Sequence, residues 1–101
     1  MKLTIDTSSN EQTIIQLGEI KEKVDSSMWK SQVVLPEIEK LLAQNKKKVT
    51  DITEIEVATG PGSYTGLKVG VAIANALGWA LKVPVNGKMI NATSIVELHY
   101  D

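Results

Sequence analysis

The sequence has no cysteine and no arginine, and it has a single histidine, His99. Without cysteine the chain has no disulfide, no thiolate metal site and no cysteine nucleophile. Without arginine it has no guanidinium group that could bind a phosphate through two parallel hydrogen bonds, and it has no arginine finger. One histidine excludes a site built from several imidazoles. The 11 lysines nearly balance 12 acidic residues, and a net charge of −1 makes the chain a poor candidate for binding nucleic acid through its own field.

What is present is typical of one globular domain. The 101 residues are 43% apolar and 23% charged, enough to bury a core. The N-terminus becomes polar by Asp6, which predicts no signal peptide. The most apolar stretch, Val69 to Leu81, is too short to span a bilayer and predicts a buried helix. Together these features predict a cytoplasmic protein with no membrane contact.

Hydrophobic periodicity predicts an α/β domain with a mixed five-stranded sheet. The predicted order is β-β-β-α-β-α-β-α, and the first three strands form an antiparallel meander. The first helix has Ser26 or Ser27 as its cap, and Pro36 lies near its first turn or bends it. The predicted segments are strands at 2–6, 13–17, 20–24, 55–59 and 83–85, and helices at 27–45, 63–81 and from Ser94, where Ser94 and Glu97 resemble a capping box.

The segment Gly60 to Lys68, GPGSYTGLK, follows a strand and opens a helix, where phosphate-binding loops occur. It matches neither a Walker A loop nor the dinucleotide fingerprint. One interpretation is a structural turn that delivers Ser63 as a helix cap. The other is a phosphate site formed with Asp6 and Thr7, since a carboxylate followed by hydroxyls also suits magnesium-phosphate. The candidate nucleotide-binding residues are Asp6, Thr7, Gly60 and Gly62.

The second predicted helix carries small residues in two rows. One row is Gly66, Gly70, Ala74 and Gly78, and the other is Ala72, Ala76 and Ala80. Small residues at this spacing let two backbones approach closely. Because glycine destabilises a helix interior by about 1 kcal/mol relative to alanine, the glycine row requires a packing reason. That reason is either the sheet of the same domain or a partner helix.

Two blocks, Leu3 to Ser8 (LTIDTS) and Gly60 to Val71 (GPGSYTGLKVGV), closely resemble the TsaB (YeaZ) family, and the similarity extends along nearly the whole chain. The resemblance implies an actin-like (ASKHA, RNase H-like) half-domain. It also implies a non-catalytic scaffold subunit in the synthesis of threonylcarbamoyladenosine next to the tRNA anticodon. Such a subunit pairs with a TsaD-like paralogue, which carries the metal and the transferase site. The pair recruits a TsaE-like ATPase, and this subunit contacts tRNA only indirectly.

Family members carry a second lobe of related fold, so residues 1–101 correspond to a single N-terminal lobe. The chain is either a truncated piece or a natural single-lobe form. Actin-like nucleotide sites lie between two lobes, and one lobe cannot close over a ligand. We therefore expect no catalytic residue, no metal and no cofactor. The rival function is an actin-like ATPase or phosphotransferase half-domain that uses Asp6, Thr7 and the loop 60–66.

The resemblance places the pairing surface on the first two helices. The residues predicted for it are Trp29, Leu35, Gly66, Val69, Gly70, Ile73 and Ala74. The isolated chain is then expected to form a homodimer through these helices in place of the natural heterodimer. On this hypothesis Gly70→Gln or Ala74→Gln gives monomers that still fold, whereas Gly62→Val destabilises the loop by about 1–3 kcal/mol.

Overall fold

The computed structural model describes residues 1–25 and 30–98. The described segments form six strands, two α-helices and a short 3₁₀ turn. In chain order they are β1 (Lys2–Asp6), β2 (Gln12–Leu17), β3 (Ile20–Asp25), α1 (Lys30–Gln44), the 3₁₀ turn (Val49–Asp51), β4 (Glu54–Val57), α2 (Tyr64–Leu81), β5 (Pro84–Val85) and β6 (Lys88–Met89).

The strands form one mixed sheet in the order β3-β2-β1-β4-β5-β6. The predicted antiparallel meander is confirmed, with Leu3 opposite Leu17 and Thr13 opposite Val24. β4 lies parallel to both β1 and β5. The sequence predicted five strands, and the sixth, β6, pairs antiparallel with β5. The sheet is therefore larger than predicted by one short hairpin strand.

One face of the sheet carries the core. Alternate residues of the central strands are buried because side chains along a strand point to opposite faces. Both helices pack on this face and contact each other. The buried residues of this core include Leu3, Ile5, Ile15, Leu17, Ile55, Val57 and Val85 from the strands and Val34, Ile38, Leu41, Val71 and Ala74 from the helices. On the opposite face Lys2 Nζ lies 3.5 Å from Glu56 Oε2.

Helix α1 confirms the predicted first helix over its described length. Pro36 lies inside the helix, past the first turn. Because proline has no N–H, one bond of the helix ladder is missing there. The predicted caps Ser26 and Ser27 lie outside the described residues.

The predicted last helix is wrong for the described residues. Asn91 and Ser94 form an isolated bridge, and residues 95–98 have no regular structure. Asn75 on α2 accounts for this, since its Nδ2 donates to the Val96 carbonyl at 2.9 Å and its Oδ1 accepts from the Val96 N–H at 3.0 Å. Both backbone groups of Val96 are thus bonded to α2 instead of to a helix of their own. His99 lies outside the described residues.

Candidate functional site at the strand ends and on the outer helix face

The loop between β4 and α2 is a structural turn. Gly60 and Pro61 are joined by a cis peptide bond. Ser63 is the N-cap of α2, and its side chain accepts a hydrogen bond from the Gly66 N–H at 3.3 Å. The prediction that this loop delivers Ser63 as a cap is therefore confirmed. The Ser63 N–H also donates to the Ser8 carbonyl at 2.8 Å, which ties the loop to the end of β1.

Gly62 lies where the loop approaches the segment after β1 most closely. A Cβ added at Gly62 would stand 2.6 Å from Ser8 Cβ and 2.8 Å from the Ser8 carbonyl oxygen. Separations below 3.0 Å are essentially never found for real Cβ atoms. The glycine is therefore required by the contact between the two segments, whatever ligand the loop could hold.

The polar residues at the end of β1 and directly after it form hydrogen bonds within the chain. Asp6 Oδ1 accepts from the Ser8 N–H at 2.9 Å and from Ser8 Oγ at 2.5 Å, which is an Asx turn. Thr7 is fully buried, and its hydroxyl donates to the Gly66 carbonyl at 2.6 Å. The structure thus brings Asp6 and Thr7 beside the loop of Gly60 and Gly62, as predicted. Thr7, however, faces helix α2.

An open cleft of about 350 Å³ lies where β1 and β4 end. Its lining includes Asp6, Glu56, Thr59, Gly60 and Asn86, and the Glu56 carboxylate is paired with Lys2, whose Nζ lies 3.5 Å from Oε2. Across residues 1–25 and 30–98, no group of three or more His, Asp or Glu side chains could hold a metal ion.

The glycine row of α2 faces the sheet of its own chain. Gly66, Gly70 and Gly78 are buried, and Ala74 has no exposed surface. A Cβ at Gly70 would run into the Thr7 side chain. Sequence analysis left the sheet and a partner helix as alternatives for this row, and the structure selects the sheet. The prediction that Gly66, Gly70 and Ala74 contact a partner is corrected accordingly.

The alanine row of α2 faces outward. Ala72, Ala76 and Ala80 are exposed, and the Trp79 side chain beside them is 54% exposed. We call these four residues the outer α2 face. Of the other predicted interface residues, Leu35 is 44% exposed, and Val69 and Ile73 are partly buried against the core. Trp29 lies outside the described residues.

Asn86 is a structural residue of the cleft that sequence analysis missed. Its Oδ1 accepts from the Val57 N–H at 2.8 Å, and its Nδ2 donates to the Val57 carbonyl at 3.0 Å. The side chain thus continues the pairing of β4 beyond the end of β5. The available signal was the pair Asn86-Gly87, which favours a two-residue hairpin turn. Sequence analysis predicted no strand after this pair.

Comparison with known proteins identifies relatives of the chain. The family model described as "TsaD: tRNA N6-adenosine threonylcarbamoyltransferase" matches residues 26–88, more than half of the chain. The tRNA threonylcarbamoyladenosine biosynthesis protein TsaB of Bacillus subtilis (strain 168) is 40% identical over 52 residues, which are 52% of this chain and 23% of that protein. TsaB of Escherichia coli (strain K12) is 33% identical over 57 residues, which are 56% of this chain and 25% of that protein.

A solved structure has a similar fold. The structure described as YeaZ from Pseudomonas aeruginosa superposes with a TM-score of 0.74 at 23% identity, over 83% of this chain and 41% of that one. At this identity the likeness supports the fold. The matched segments span about a quarter of the length of the curated relatives. In the part of the chain that the structure describes, no helix is both long and apolar enough to cross a membrane. The chain belongs to the TsaD family, where its named relatives are TsaB (YeaZ) proteins, and it has the fold of an actin-like half-domain.

Proposed function

We propose that this chain is a non-catalytic scaffold subunit in the synthesis of threonylcarbamoyladenosine in tRNA. Residues 1–101 act as a single lobe, and the outer α2 face docks a TsaD-like catalytic subunit. The observation that carries the proposal is the orientation of α2. Its glycine row is used by the sheet of the same chain, while Ala72, Ala76 and Ala80 remain exposed beside Trp79.

The chemistry of the outer α2 face suits a helical partner. Alanine side chains are short, so a second helix can pack close to the backbone of α2. Trp79 supplies the large aromatic surface that interface hot spots often contain. Leu35, Val69 and Ile73 lie on α1 and α2 and extend the proposed docking region. In the absence of the catalytic subunit, two copies of the chain are expected to use the same region around a two-fold axis.

The remaining partners follow from the proposed pairing. A TsaE-like ATPase joins through the complex, and tRNA is reached through the catalytic subunit, because this chain carries a net charge of only −1 and no arginine. The place of action is then the cytoplasm, and the chain itself holds no cofactor. The curated relatives are named for this biosynthesis, which supports the assignment of the pathway.

Charge placed on the outer α2 face tests the docking proposal. We expect Ala76→Glu to lower the affinity for the TsaD-like protein of the same organism at least tenfold, which is about 1.4 kcal/mol of binding free energy. Less of that protein should then co-purify with the variant. The carboxylate would be buried without a partner in the complex. The same variant is expected to sediment as a monomer where the unmodified chain is a dimer. At a protein concentration low enough for both to be monomers, the free energy of unfolding of Ala76→Glu should differ from that of the unmodified chain by no more than about 0.5 kcal/mol, because Ala76 is exposed.

Ala92→Glu is the matched control, since Ala92 is an exposed alanine in the segment after β6. It should bind and dimerise like the unmodified chain. Equal binding by Ala76→Glu and the unmodified chain would place the docking surface elsewhere.

The scaffold role also predicts the outcome of an activity assay. We expect the purified chain to release no phosphate from ATP above the buffer rate, with or without magnesium. The Thr7 hydroxyl is bonded to the Gly66 carbonyl, and a single lobe cannot close over a nucleotide to exclude water. Asp6→Asn serves as the comparison and should give the same baseline. Steady phosphate release that disappears in Asp6→Asn would instead establish the rival ATPase or phosphotransferase function.

A further inference from the structure

The turn between β5 and β6 consists of two residues, Asn86 and Gly87. Both have positive φ, 49° and 79°, as in the tight turns that suit the twist of a hairpin. Gly87 is exposed, and a Cβ built on it would meet no atom within 4 Å. The backbone nitrogen of Gly87 is therefore shielded neither by a side chain of its own nor by a neighbour at the Cβ position.

Both atoms of the Asn86 carboxamide are bonded to the backbone of Val57. The Val57 N–H donates to Oδ1 at 2.8 Å, and Nδ2 donates to the Val57 carbonyl at 3.0 Å. The Asn86 N–H also donates to the Ile55 carbonyl at 2.8 Å. The side chain is thus held against β4 by a pair of hydrogen bonds that must break before it can turn toward Gly87.

We propose that Asn86 is a site of spontaneous deamidation whose rate is controlled by the separation of β5 from β4. The Gly87 backbone nitrogen attacks Cγ of Asn86 and forms a five-membered succinimide. The bond from Cγ to Nδ2 breaks, and that nitrogen leaves as ammonia with the proton from the Gly87 N–H. Water then opens the ring at one of its two carbonyls, giving isoaspartate or aspartate. The reaction consumes one water and needs no oxidant or reductant.

The two hydrogen bonds to Val57 make the folded chain slow to react. Because both polar atoms of the carboxamide are held by Val57, we expect attack on Cγ to proceed from molecules in which the hairpin has opened. β5 and β6 have two residues each and lie at one edge of the sheet, and β6 is exposed. Short edge elements of this kind open at a lower free energy than the core strands.

The product favours the open state that produced it. A carboxylate at position 86 can accept from the Val57 N–H but cannot donate to the Val57 carbonyl, so two oxygens face each other. Asp6 lines the same cleft and adds like charge, whereas the Glu56 carboxylate there is paired with Lys2 at 3.5 Å. Deamidation therefore weakens the attachment of the β5–β6 hairpin to β4 irreversibly.

The test compares the rate of deamidation in the folded chain and in denaturant. The full chain is incubated at mildly alkaline pH in both states, and the conversion of each asparagine is followed by peptide mass spectrometry. We expect Asn86 to react several-fold more slowly in the folded chain. In denaturant it should react faster than Asn91, which precedes alanine and serves as an internal control, and Gly87→Ala should slow it several-fold.

Equal rates for Asn86 in the two states would show that the bonds to Val57 do not control the reaction. A rate in denaturant no higher than that of Asn91 would show that Asn86 is not a special site. Asn86→Asp mimics one product, and we expect it to unfold at a lower denaturant concentration than the unmodified chain. Unchanged stability of Asn86→Asp would refute the proposed effect of the product, independently of the rate measurement.

Discussion

Gly70→Gln is expected to cause the largest loss of stability among the single substitutions considered. A side chain at this position runs into Thr7, which is fully buried on the segment after β1 and donates to the Gly66 carbonyl at 2.6 Å. Overpacking of this kind costs about 1–3 kcal/mol or more, and loss of the buried hydrogen bond adds about 1–3 kcal/mol. Since a domain is stable by only about 5–15 kcal/mol, a large fraction should be lost. Urea unfolding measures the change.

Ala72→Gln is the matched control for Gly70→Gln. It adds the same side chain to the exposed row of the same helix. At a concentration where both chains are monomers, its free energy of unfolding should stay within about 0.5 kcal/mol of the unmodified chain. Similar unfolding midpoints for the two variants would contradict the packing described for α2. The outcome expected here replaces the prediction from sequence that Gly70→Gln yields folded monomers, because Gly70 contacts its own sheet.

Gly62→Ala is expected to destabilise the chain by about 2–4 kcal/mol, from overpacking combined with backbone strain. The added methyl group would stand 2.8 Å from the carbonyl oxygen of Ser8. The Ser63 N–H donates to the same oxygen at 2.8 Å, so the loop is hydrogen-bonded to the segment after β1. The overlap can therefore be relieved only if the loop moves. Gly62→Val should cost more, since its side chain is larger, and this replaces the value of about 1–3 kcal/mol expected from the sequence because of the contact with Ser8. Thermal and urea unfolding measure both variants.

Gly18→Ala separates backbone strain from steric overlap. Gly18 has φ of 57°, but a Cβ there would meet no atom within 4 Å. Its cost should therefore be about 1–2 kcal/mol, the usual penalty for a left-handed residue. If Gly62→Ala proved no more costly than Gly18→Ala, the close contact with Ser8 would not be what requires the glycine.

Most of the fold could be predicted from the sequence because its periodicities are local. Alternation of Leu3 and Ile5 predicts a strand, and the spacing of Val34, Ile38 and Leu41 predicts a helix; each is confirmed. The predicted last helix failed because Ser94 and Glu97 report only local preference. The bonds from Asn75 to Val96 cross 21 positions of the chain and override that preference.

The candidate site could be predicted only in part. The loop with Gly60 and Gly62 was located correctly beside Asp6, because the ends of two parallel strands lie together. Which row of α2 faces outward was not determined by sequence, since spacing of four residues shows that positions share a face but not what covers it. The close contact between Gly70 and Thr7 shows that the glycine row faces the sheet, and this contact depends on the tertiary fold.

The central claim is that this chain docks a TsaD-like catalytic subunit through helix α2. Sedimentation velocity of the chain mixed with the tRNA N6-adenosine threonylcarbamoyltransferase of its own organism tests it most directly. We expect one faster species that contains one copy of each protein, with the homodimer of this chain consumed as the enzyme is added. Two proteins that sediment independently at every ratio would contradict the claim.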